Sequence, residues 1–327
     1  MKLLTLSILG YFSFIFIPYV SAKIVFVSNR DGTRNLYVME DDGRNVKKIT
    51  DGVNDVINTQ PRWSPNGKYI AFLRIWGKFA VDQQYDVFLM NADGSNQQRL
   101  THHPAMDGGY LTGSPDGQHM AFKSCRTGNG NIHTIDIASG KVKQLTDYKK
   151  GQRERAQEPD WSPDGKQIAY VVGSRFIHLM DAEGRHQQLF LDGGTFIREP
   201  LWSPAGKHIM YSEWTFGKVG EVVEVVSSRA VIVDLHAGEV REKVMPAGWG
   251  ISSKSWMGPK KALLAIHTSE TNTDIFVWDF TSDTLKNLTD TPGVDWTPDW
   301  IDDATLDVSL VKKKITMWGQ LKAVKAQ

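Results

Sequence analysis

One hexapeptide constrains this chain more than any other feature, because it recurs. Trp161-Ser162-Pro163-Asp164-Gly165-Lys166 is matched by Trp63-Ser64-Pro65-Asn66-Gly67-Lys68 and by Trp202-Ser203-Pro204-Ala205-Gly206-Lys207. Gly113-Ser114-Pro115-Asp116-Gly117 keeps the turn and lacks the Trp. Trp256-Met257-Gly258-Pro259 and Trp300-Ile301-Asp302-Asp303 are degenerate copies. The copies lie roughly 40 to 55 residues apart, the period of propeller blades. In each, Pro presets a turn dihedral and Gly supplies the positive φ that closes a hairpin.

Around each copy the same order of short apolar runs returns. Gln167 to Val172 is followed by Phe176 to Met180, the turn Asp181-Ala182-Glu183-Gly184, and a fourth run from His186. Tyr69 to Leu73, Asp86 to Met90 and Gln98 to Thr101 repeat this order, as do Ile24 to Val27, Asn35 to Met39 and Lys48 to Thr50. Short runs bounded by Gly, Pro and Asp turns, with no long 3.6-residue periodicity, predict an antiparallel β-meander. The expected fold is therefore all-β, a six-bladed propeller. The two ends are out of phase: the N-terminal unit lacks a Trp-turn, and Pro298-Asp299-Trp300 supplies one with no unit after it. Pairing of the N- and C-terminal strands would close the ring and leave only short sheet edges.

Ser28-Asn29-Arg30-Asp31-Gly32, then Leu36-Tyr37-Val38-Met39 and Ile49-Thr50, alternating with Trp-Ser-Pro-Asp-Gly, resembles the TolB-like β-propeller repeat family. The resemblance covers about residues 23 to 303, and no counterpart of the α/β domain that precedes the propeller in TolB is expected. It implies a stand-alone propeller with partners in the cell envelope. It also implies that the segment before each Trp-turn is the innermost strand and lines a central channel.

Met1-Lys2 and the apolar run from Leu3 to Val20 read as a signal peptide, with Val20-Ser21-Ala22 fitting cleavage after Ala22. Retention as a membrane anchor is the competing reading of the same run. The expected organisation is leader 1–22, propeller 23–311 and a basic C-terminal tail 312–327, in a bacterial periplasmic or secreted protein with no stable membrane span after leader removal. Lys and Arg (38) nearly balance Asp and Glu (37), which gives no support for nucleic-acid binding. The single cysteine, Cys125, allows no internal disulfide.

Channel-lining candidates for ligand binding are Gln60, Tyr110, Glu158, Arg198, Glu199, Asp295 and Trp296, with Asn58, Asp107, Gln157, Ser252 and Ser253 beside them. Glu158, Arg198 and Glu199 are the most promising subset, since two carboxylates and a guanidinium on neighbouring inner strands could hold a cation or a polar ligand. The alternative is that these groups satisfy one another and water. Two insertions break the period, and Trp76, Phe79, Trp214 and Phe216 on them are candidates for partner contact. The Val-rich part of the second insertion reads as a lengthened hairpin. His119, His133, His178 and His208 fall at equivalent strand positions and read as solvent-face residues. The Asp-Gly turns lack the ligand ladder of a calcium loop, and no catalytic triad context is present. No metal and no cofactor is expected. The function this points to is a non-enzymatic binding or scaffolding module for a protein, peptide or cell-envelope partner. The rival is a polysaccharide-active lyase or hydrolase using carboxylates in the central funnel.

Overall fold

The structure, a computed structural model, describes residues 23–52, 56–77, 83–104, 107–194, 196–219, 222–269 and 271–302. The segments read as leader and basic tail, and Phe79, lie outside the described residues. Six antiparallel four-stranded sheets are arranged as blades, and no helix occurs among the described residues. Blade I holds Lys23–Ser28 and blades II to VI follow in chain order. Its inner strand is Asp295–Ile301, which pairs antiparallel with Lys23–Ser28 from Lys23↔Ile301 to Ser28↔Asp295. The ring is closed by the two chain ends, as the phase mismatch predicts.

Both faces of each inner sheet are buried, so the strands read as continuous apolar runs. Ile24 and Phe26 pack with Leu263 and Ile275 of blade VI, whereas the alternating Val25 and Val27 pack with Ile70 and Phe72 of blade II. Equivalent clusters fill the other blade interfaces. The repeat Trp belongs to this packing: Trp63, Trp161 and Trp202 are each 8% exposed and lie against the preceding blade.

The motif's polar residues build the turn. The Ser162 hydroxyl donates to Asp164 Oδ1 at 2.7 Å and accepts the Gln167 amide at 2.9 Å, while the Ser162 amide donates to the Gln167 carbonyl at 2.8 Å. Gly165 sits at φ 73°, where a Cβ is disfavoured. The Thr that ends several units is a second pin. Thr50, Thr101, Thr146 and Thr289 donate to Asn35, Asp86, Asn131 and Asp274, and their hydroxyls accept a backbone amide of the same strand. Asn287-Leu288-Thr289 is thus a structural strand ending, with Thr289 buried.

The second insertion is a hairpin in which His208–Val219 and Val222–Asp234 stay paired to Val219↔Val222. His133 departs from expectation: it is 1% exposed and stacks on Phe122 at 6.1 Å, because its strand is covered on both faces.

Candidate functional site

Five of the six inner strands place a non-glycine residue at positive φ: Gln60 (51°), Tyr110 (60°), Glu158 (57°), Glu199 (50°) and Thr297 (49°). In blades I, II, IV and V the register between inner strand and neighbour shifts at this point, which is a β-bulge. In the same four blades the next residue is proline, Pro61, Pro159, Pro200 and Pro298. Proline has no N–H to pair, so a bulge is where an inner strand tolerates it. Three of the residues singled out from sequence, Gln60, Glu158 and Glu199, are therefore bulge residues, and Tyr110 shares their positive φ.

They meet in a charged ladder that crosses blades III to VI. Arg198 Nε donates to Glu158 Oε1 at 2.5 Å, and another Arg198 nitrogen donates to the Tyr110 hydroxyl. The Glu199 amide donates to Glu158 Oε2 at 2.5 Å. Gln60 accepts the Tyr110 amide and extends the network to blade II. Lys254 completes it: its Nζ lies 3.7 Å from Glu199 Oε2 and donates to the Arg198 carbonyl at 3.1 Å and to Ser212 Oγ at 3.4 Å. Among the described residues Glu199 Oε2 has no hydrogen-bond partner beyond this ion-pair contact.

Burial dominates the electrostatics. It pushes the Glu158 carboxyl above its ordinary value, with Arg198 pulling the other way. Burial also raises the Tyr110 phenol, reinforced by Glu158. It pulls the Lys254 amine down to about 8, against the attraction of Glu199 and Glu158. Arg198 is pulled down by burial but held above its ordinary value by Glu158 and the groups around it, so it stays charged. Two carboxylates alternate with two cations, and each charge has an opposite neighbour.

Asp295 accepts from Arg30 at 2.9 Å, and Trp296 carries the Arg34 guanidinium 5.1 Å above its ring. These two stand apart from the ladder. Trp76 stacks edge-on against Phe88 at 5.6 Å beneath the Arg99 guanidinium. Trp214 Nε1 donates to the Ile251 carbonyl at 2.9 Å, tying blade V to blade VI. Phe216, next to it on the hairpin, is 45% exposed. Among the described residues no group of three His, Cys, Asp or Glu side chains is placed to hold a metal ion.

A second set of residues surrounds a cavity of about 320 Å³ at the Trp-turn end of the channel. It is lined by Arg62, Asp160, Lys254 and Asp299 among the repeat Trp rings. Asp160 Oδ2 accepts the Trp202 amide at 2.7 Å and its Oδ1 accepts the Thr112 hydroxyl at 3.0 Å. Asp299 Oδ2 accepts the Trp63 amide at 2.7 Å. Burial pushes Asp160 up to about 7 against the Trp202 amide, and raises Asp299 likewise.

Sequence reasoning missed Asp160, Asp299 and Lys254. A signal existed for the first two, since each stands between a proline and the repeat Trp. Lys254 carried none: it follows the serines chosen in blade VI, and a lysine reads as a surface residue.

Residues 75–233 match the family described as TolB beta propeller domain. An uncharacterized protein of Agrobacterium fabrum is 32% identical over 138 residues, which is 40% of this chain and 42% of that protein. The Tol-Pal system protein TolB of Francisella tularensis subsp. mediasiatica is 28% identical over 111 residues, 33% of this chain and 24% of that protein. The matched region thus spans less than half the length of these relatives. The crystal structure of TolB from Acinetobacter baumannii superposes with a TM-score of 0.67 at 21% identity, covering 85% of this chain and 66% of that one.

Proposed function

We propose that this chain, which carries the TolB-type β-propeller repeat, is an exported, non-enzymatic binding module for a protein or peptide partner of the bacterial cell envelope. The observation that carries this reading is the charged ladder. Glu158 is engaged by Arg198 and by the Glu199 amide, and Glu199 faces Lys254. A carboxylate pair already compensated in this way is a strut across the channel and not an acid and base held ready for substrate. The relatives named for the Tol-Pal system support an envelope setting, and the Leu3 to Val20 run supports export through a signal peptide cleaved after Ala22. No helix among the described residues is long and apolar enough to cross a membrane. The channel residues Gln60, Tyr110, Glu158, Arg198, Glu199, Asp295 and Trp296 then hold the mouth in shape. Partner contact falls to the exposed groups around it, Phe216 included.

Affinity capture from an envelope extract, with the mature protein as bait, tests this. A partner retained by wild type and by E158Q/E199Q, but lost on altering exposed residues at the mouth, is the expected result. Turnover of an added polysaccharide that disappears in E158Q/E199Q would replace this reading with the enzymatic one.

A further inference from the structure

The channel has two unlike ends. One carries the Trp-turns. At the other, where the inner strands begin, the chain gathers arginine and lysine. Lys123, next to last in the blade III strand His119–Ser124, exchanges backbone hydrogen bonds with Gly108 and Gly109, which places it close to Tyr110. Arg155 directly precedes the inner strand of blade IV, Ala156–Trp161, and is exposed. A Cβ at Gly130 would lie 2.9 Å from Lys123 Cε and 3.3 Å from Arg155 Cβ, so both stems flank that glycine. Arg198 stacks over the Tyr110 ring at 5.3 Å with 27% of its side chain exposed. Arg198 thus borders the Tyr110 ring, and Lys123 and Arg155 stand together beside Gly130.

Of the three, only Arg198 has an ion-pair partner among the described residues. Glu158, the carboxylate in their midst, is engaged by Arg198. Among the described residues neither Lys123 nor Arg155 forms a salt bridge. The Lys123 amine is held below its ordinary value by burial and, further, by Arg155 and Arg198, against the pull of Cys125 and Glu158. Like charges crowded at a channel mouth are relieved by a ligand of the opposite sign. The same end also carries Arg34, exposed and stacked on Trp296, and Arg30 and Arg126, each partly exposed. Aromatic and apolar surface stands beside them, with Phe216 and Val226 exposed on the blade V hairpin.

We infer that this end of the channel is the docking face, and that Lys123 and Arg155, beside the Arg198–Glu158 pair, form a subsite for a carboxylate on an acidic peptide segment of the partner. The inference rests on the binding function proposed above and adds the partner's chemistry and the face it uses. Planar guanidinium groups match carboxylates bidentately, and the neighbouring apolar surface suits a peptide that alternates acidic and apolar residues.

The test uses the full mature chain and a fluorescein-labelled peptide alternating Glu and Val, with the Gln-for-Glu peptide as control, read by anisotropy. The Glu peptide should bind, more weakly as salt rises, and the Gln peptide should not. K123Q/R155Q should weaken binding about tenfold or more while melting like wild type. K166Q/K207Q, on the Trp-turn end, should change nothing. R34Q supplies a milder second variant should the double replacement melt early. Equal binding of the two peptides, or full binding by K123Q/R155Q, overturns the inference. So does binding of anionic lipid vesicles with none of the peptide. Capture of the same envelope partner by wild type and K123Q/R155Q alike would defeat this inference and leave the binding function standing.

Discussion

Asp299 Oδ2 accepts the backbone amide of Trp63 at 2.7 Å, joining residues 236 positions apart in the chain. The bond crosses from blade I to blade II beside the seam where the chain ends meet. Asp160 and the Trp202 amide repeat the arrangement between blades IV and V at 2.7 Å. The residue before a repeat Trp thus latches its blade to the next.

Replacing Asp299 by Ala should leave the Trp63 amide buried without an acceptor and cost about 2–3 kcal/mol, the range for a lost hydrogen bond to a charged group. The Ser255 hydroxyl, which donates to Asp299 Oδ1 at 3.2 Å, loses its partner as well. Urea unfolding at neutral pH measures this. A D299A protein with an unchanged midpoint would show that packing alone holds the seam.

Asp160 makes stability depend on pH. Its folded value is raised to about 7 by burial, above the ordinary carboxylate value of 3.8. A raised carboxyl favours folding at low pH: the contribution is whole below the unfolded value and is lost as pH climbs from about 4 to about 7. The slope in that window approaches about 1.4 kcal/mol per pH unit. D160N should remove it. The measurement is the difference between wild type and D160N in urea midpoint across the window. Taking the difference cancels other groups, such as His133, which burial holds below its ordinary value.

Lys254 and Glu199 should be coupled. K254M leaves the Glu199 carboxylate buried without its cation and should cost about 3–5 kcal/mol. Adding E199Q should recover part of that loss, because the unpaired charge is gone. Independent, additive costs in the double-mutant cycle would contradict the ladder.

The repeat Trp is a packing residue, so W161A should cost about 3–5 kcal/mol through the cavity it leaves. W214F should cost about 1 kcal/mol, the worth of its bond to the Ile251 carbonyl. F216S, at an exposed position, should melt within about 0.5 kcal/mol of wild type. Thermal melts of the three variants rank them, and F216S falling as far as W161A would mean that the hairpin tip is part of the core.

Much of the architecture was legible because it is local and repeated. A Ser-Pro-Asp-Gly turn is specified by its own residues: Ser162 bonds Asp164 two positions on and Gln167 five positions on. Strand order, blade number and closure through Asp295–Ile301 follow from counting such units, since each leaves two apolar faces that only a neighbour can bury. Gln60, Tyr110, Glu158 and Glu199 could be singled out because they stand at one repeat position. The pairing of those side chains was decided only by tertiary structure. Glu158 meets an arginine 40 residues away, and Lys254 reaches the Arg198 carbonyl across 56. Those distances depend on bulge geometry and on how far each blade turns from the last. The burial of His133, the inward turn of Lys254 and the crowding of Lys123 with Arg155 and Arg198 belong to the same class. The repeat by itself determined the ring, because hairpins and apolar alternation act within a few residues. The charge pattern inside the ring waited on the fold, because Coulomb interactions and desolvation depend on positions in space that closure alone sets.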